Sequence, residues 1–140
     1  MYSEKVIELS MSPQNVGNML KPDGEGAVGD INCGDALTIY VKVEFGIIID
    51  VSCQVYGGTA LLAACCMTTI LTKGKTLEEA LRLTDRDVLD ALGGLPKAKQ
   101  YCAKLAVSAL QNAVEDYLIR RGMYGIIDEH EDSKIYSSSK

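Results

Sequence analysis

Residues 37–56 read Leu37-Thr38-Ile39-Tyr40-Val41-Lys42-Val43-Glu44-Phe45-Gly46-Ile47-Ile48-Ile49-Asp50-Val51-Ser52-Cys53-Gln54-Val55-Tyr56, and their pattern decides the fold. In the first half Leu37, Ile39, Val41 and Val43 alternate with Thr38, Tyr40, Lys42 and Glu44. Successive side chains of a strand point to opposite faces, so this alternation marks a strand buried on one face. The same period in the second half predicts Ile47, Ile49, Val51, Cys53 and Val55 inward. Phe45-Gly46 separates the two runs at a spacing that suits a tight turn, so they pair as an antiparallel hairpin. Cys53 then belongs to the core.

On the N-terminal side glycine recurs at positions 24, 26, 29 and 34, which suits a third strand with turns over Asp23–Asp35, ending at Cys33-Gly34-Asp35. Before it, Ser3–Leu9 predicts a short helix that stops ahead of Pro13. On the C-terminal side, Tyr56-Gly57-Gly58 ends the hairpin and Thr59–Lys73 reads as a helix apolar on nearly all sides, closed by Gly74. Such a helix has to be buried. Thr76-Leu77-Glu78-Glu79 carries the signature of a capping box, and Thr84 opens a further helix that stops at Gly93-Gly94. Finally Cys102, Leu105, Ala106, Ala109, Leu110, Ala113, Val114, Tyr117 and Leu118 recur at three- and four-residue steps, a helix with one long apolar stripe. The expected fold class is α+β, an antiparallel sheet of about three strands covered on one face by helices. The folded domain spans 1–121, and 122–140, with its Asp128-Glu129-His130-Glu131-Asp132 cluster and serine-rich end, reads as a low-order tail in which His130 belongs to a solvated charge cluster.

A chain of 140 residues suits one domain with its own core. The formal net charge of −5, with no run of Lys or Arg, excludes a nucleic-acid backbone as the expected partner, because that binding rests on neutralising phosphates. The longest apolar-rich run, Ala60–Leu71, is too short for a membrane span, and Met1–Lys5 begins no secretory signal. A cytoplasmic protein is expected. Five cysteines, Cys33, Cys53, Cys65, Cys66 and Cys102, then disfavour a disulfide framework and leave burial, metal binding or sulfur chemistry.

Three junctions stand where sites usually form, at the ends of elements: Cys33-Gly34-Asp35, Gly57-Gly58 and Tyr101-Cys102. Two thiols and a carboxylate there suit a soft metal or a sulfur acceptor, while spacing alone leaves buried or incidental thiols open as well. Cys53, Cys65 and Cys66 lie on apolar faces and are expected to be buried and inert, with Cys33 and Cys102 reactive. Without a Ser/His pair, a phosphate-cradling glycine loop or a second carboxylate beside Asp35, no independent catalytic machinery is legible, and the chain is not read as an enzyme.

The order and wording of several segments resemble the IscU/NifU-type iron–sulfur cluster scaffolds. They are Tyr2-Ser3-Glu4-Lys5-Val6-Ile7-Glu8, Pro13-Gln14-Asn15-Val16-Gly17, Cys33-Gly34-Asp35, Gly74-Lys75-Thr76-Leu77-Glu78-Glu79-Ala80 and Ala91-Leu92-Gly93-Gly94-Leu95-Pro96. The resemblance implies a scaffold on which a [2Fe–2S] cluster is assembled from iron and from sulfur delivered by a cysteine desulfurase, then passed to recipient iron–sulfur proteins. It implies Cys33 as a thiolate ligand, Asp35 as the carboxylate that keeps the site labile, and Cys102 as both a ligand and the position receiving persulfide. Two departures matter. Gly58 stands where the family has its middle cysteine, and Tyr101 where it has the ligand histidine; Tyr101 offers a phenolate only as a weak substitute. The family's chaperone-docking Leu-Pro-Pro-x-Lys is altered to Leu95-Pro96-Lys97-Ala98-Lys99.

The resemblance so modified implies a scaffold-like protein that binds iron or a [2Fe–2S] cluster with Cys33, Cys102 and Asp35. Two copies in a homodimer would together offer four thiolates. The alternatives are a cluster-free module that docks on the desulfurase or accepts its sulfur, and a zinc site of Cys33, Asp35 and Cys102.

Overall fold

The computed structural model describes residues 1–122; the expected tail beyond Gly122, with His130, lies outside the described residues. Helix α1 (Glu4–Met11) is capped by Ser3, whose Oγ accepts from the Val6 N–H, and it ends at Ser12, one residue before Pro13. Strands β1 (Gly24–Asp30), β2 (Asp35–Glu44) and β3 (Ile47–Tyr56) form one antiparallel sheet in the order β1-β2-β3. Helices α2 (Thr59–Thr72), α3 (Leu77–Leu81), α4 (Asp85–Leu92) and α5 (Tyr101–Arg120) follow. The capping box at Thr76 and Glu79 is present, and Thr84 with Asp87 makes a second one for α4.

Helix α5 lies along β1 and β2, and α2 along β3 and α5, so the helices cover one face of the sheet. The core gathers Leu37, Ile39 and Val41 of β2, Ile48, Val51 and Cys53 of β3, and most of the first half of α2, from Ala60 to Met67. The stripe read on α5 is buried except for Leu105, which is only partly so, and Ala103 and Val107 widen it. Cys53, Cys65 and Cys66 are fully buried, as their apolar faces require. Hydrogen bonding to Cys65, together with burial, pushes the Cys53 thiol up to about 12. Contact with Cys53 and burial push Cys66 up as well, so both stay protonated and inert.

One expectation for β3 is corrected. Lys42 pairs with Asp50 but Val43 pairs with Ile48, so Ile49 is an extra residue, a bulge that reverses the alternation beyond it. Ile48 is therefore fully buried, while Ile47 and Ile49 are 38% and 40% exposed.

The approach of β1 to α5 sets where α5 begins. Gly24 and Gly26 share the inner face of β1 and are buried against the helix backbone. A Cβ on Gly26 would lie 2.3 Å from the Ala109 carbonyl oxygen and 2.4 Å from the Ala113 nitrogen. Only a strand without side chains there can come so close. The edge is tied by Asp116, which accepts from the Glu25 N–H at 2.9 Å and pairs with Arg120 at 2.9 Å. Among the described residues no helix is long and apolar enough to cross a membrane.

Candidate functional site

The β1–β2 connection is a tight turn whose register closes at Asp30 opposite Asp35. Asp30 Oδ1 accepts from the Asn32 N–H at 2.9 Å, and Gly34, in the left-handed region at φ 89°, donates to the Ile31 carbonyl at 3.0 Å. This turn presents Cys33 to solvent with its thiol directed at Asp30 Oδ2, 3.9 Å away. Two residues on, Asp35 opens β2 and turns its carboxylate toward the helices.

That carboxylate sits between two of the junctions marked in the sequence. Its Oδ2 accepts from the Tyr101 hydroxyl at 2.7 Å, and its Oδ1 would lie 3.0 Å from a Cβ on Gly57. Asp35, Gly58, Tyr101 and Cys102 line one small cavity of about 60 Å³, together with Lys99 and Tyr2. The start of β2, the start of α2 and the start of α5, distant in the chain, therefore meet at one end of the sheet. Gly58 is the N-cap of α2, extended at φ −89° and ψ −169°, and provides no side-chain cap. A Cβ there would meet nothing within 4 Å.

Cys102 departs from expectation. It was expected to be reactive, yet only 2% of its surface is exposed, because the second residue of α5 falls on the buried stripe of that helix. Burial raises its thiol pKa above the ordinary value and Asp35 adds to this, while the Tyr101 hydroxyl and Lys99 pull the other way. Tyr101 itself is 44% exposed. Donating to Asp35 raises its pKa and keeps it a phenol. Among the described residues no three His, Cys, Asp or Glu side chains are grouped so as to hold a metal ion. Asp35 and Cys102 are brought together, whereas Cys33 stands on the adjoining turn outside the cavity lining.

An α+β sheet covered by helices, with a thiol, a carboxylate and an open helix N-cap gathered at one end, defines a distinct class of small domain. Residues 1–123 match the family described as NifU-like N terminal domain. The chain belongs to this IscU/NifU-type scaffold family. It is 46% identical over 129 residues to the iron-sulfur cluster assembly scaffold protein IscU 1 of Archaeoglobus fulgidus, covering 92% of this chain and 84% of that protein. It is 38% identical over 123 residues to the IscU scaffold protein of Aquifex aeolicus, covering 86% and 78%. Among solved structures, a NifU-like N-terminal protein from Brucella abortus shares the fold, with a TM-score of 0.66 at 19% identity over 82% of this chain and 92% of that one.

Proposed function

We propose that this protein serves iron–sulfur cluster assembly as a scaffold-type component. It accepts sulfur at Cys102 from a cysteine desulfurase, holds iron or a [2Fe–2S] cluster as passing cargo, and yields it to recipient iron–sulfur proteins. It acts as a carrier in the cytoplasm and has no turnover chemistry of its own. The observation that supports this reading is the convergence of Asp35, Cys102, Tyr101 and Gly58 on one cavity beside the exposed Cys33 turn.

In the sulfur step, the Cys102 thiolate attacks the terminal sulfur of the desulfurase persulfide. A sulfur–sulfur bond forms at Cys102, the donor's sulfur–sulfur bond breaks, and the donor leaves as its thiolate; the transferred sulfur keeps its proton. Lys99 favours the Cys102 thiolate electrostatically. For the cargo, a cluster takes four ligands, and one chain offers only the thiols of Cys33 and Cys102 at this end. Two copies about a two-fold axis supply four. Asp35 is the adjacent oxygen ligand for iron entering or leaving.

One observation favours a second reading, in which sulfur is accepted and no cluster is held: no three donors are grouped in a single chain among the described residues. A zinc ion on Cys33, Asp35 and Cys102 meets the same shortage. The sulfur step is common to the first two readings and is tested directly. After incubation with a desulfurase and cysteine, peptide mapping under non-reducing conditions should find one added sulfur atom on Cys102. Cys102→Ser should abolish it. Sulfur found only on Cys33, or on no cysteine, would overturn the proposal.

A further inference from the structure

Sulfur transfer needs contact between two sulfur atoms, and a bonded pair lies only about 2.05 Å apart. A thiol that is 2% exposed cannot meet a protein-bound persulfide without local opening. The first turn of α5 is the element that has to open, since Cys102 is its second residue. Gln100 precedes that turn and gives it no side-chain cap. Uncapped helix ends open at low cost unless tertiary contacts hold them. Gln100 Nε2 donates to the nearby Leu95 carbonyl at 3.3 Å, and the side-chain hydrogen bond tying this turn to the sheet is that of Tyr101 to Asp35, which joins residues 66 apart in sequence.

We infer that Tyr101 is a positioning residue: its hydrogen bond to Asp35 clamps the first turn of α5 over Cys102 and sets when that sulfur becomes reachable. This rests on the scaffold reading and adds a control to the same site. Asp35 takes part in both halves of it. Its Oδ2 is engaged by the phenol in the closed state, so a cation drawn to that oxygen competes with the Tyr101 hydroxyl for it. Entry of iron and exposure of Cys102 are thereby linked through one carboxylate.

The test is alkylation by iodoacetamide under native conditions, followed by peptide mass mapping of all five cysteines. Tyr101→Phe keeps the ring and removes the hydroxyl, and Asp35→Ala removes the acceptor. Each should speed alkylation of Cys102 on the order of tenfold, with Cys53, Cys65 and Cys66 still protected. The double variant should add little to either single change, since both break one interaction. Unchanged alkylation of Cys102 in both variants would overturn the clamp, and so would a parallel rise at the three core cysteines, which marks general loosening. The result stands apart from the scaffold reading: faster alkylation without any gain of sulfur from a desulfurase would leave the clamp intact and remove the function.

Discussion

Gly58→Cys should strengthen the hold of a single chain on a [2Fe–2S] cluster. The position is free to accept the change: its backbone is extended, and a Cβ there meets no heavy atom within 4 Å. The new thiol would stand at the N-cap of α2, where first-turn N–H groups lack a side-chain acceptor and the helix dipole favours negative charge. Both effects lower a thiol pKa and favour the thiolate that iron selects. It would also share the cavity of Asp35 and Cys102, giving one chain three thiols at this end instead of two. After anaerobic reconstitution, [2Fe–2S] on single chains should rise by a factor on the order of ten or more, equivalent to about 1.4 kcal/mol of added affinity. Tyr101→His should add less alone, because it contributes an imidazole and no thiolate, while it also releases Asp35. Gly58→Cys and Tyr101→His combined should bind most, and iron and sulfide contents in that double variant equal to those of the unaltered chain would remove the idea that the site is an incomplete scaffold site.

The largest loss of stability is expected from Gly26→Ala. The added methyl would overlap backbone atoms of α5 on two sides, and backbone cannot turn aside as a flexible side chain can. Strand β1 has to lift from the helix, at a cost of about 3 kcal/mol or more. That corresponds to a fall in melting temperature on the order of 10 °C for a domain of this size. Ala27→Ser, one residue on and facing solvent, should melt like the unaltered protein. Thermal unfolding followed by circular dichroism decides between them, and equal melting of both variants would contradict the close packing described for β1. The effect reaches the site, because this packing places the start of α5 beside the start of β2.

Much of this was legible because local patterns carried it. The hairpin, the buried α2 and the stripe of α5 follow from periodicity, and the caps at Thr76 and Thr84 from short signatures. The phase of β3 was not legible, since Ile47-Ile48-Ile49 fits either face and only the bulge at Ile49 decides. Glycines at 24 and 26 suggested turns, yet their spacing of two puts them on one face of a strand, which signals close approach. The burial of Cys102 was within reach, because it begins the very stripe that defines α5. The pairing of Tyr101 with Asp35 was not, as no local rule joins residues so far apart. The ordinary φ of Gly58 likewise appears only in three dimensions.

The claim that two copies are needed to hold the cargo is tested most directly by anaerobic reconstitution of the unaltered chain with ferrous iron and sulfide, read by native mass spectrometry. The account predicts a [2Fe–2S] cluster on the two-chain species alone, lost in Cys33→Ser and in Cys102→Ser. A cluster carried by single chains, or by neither species, would contradict it.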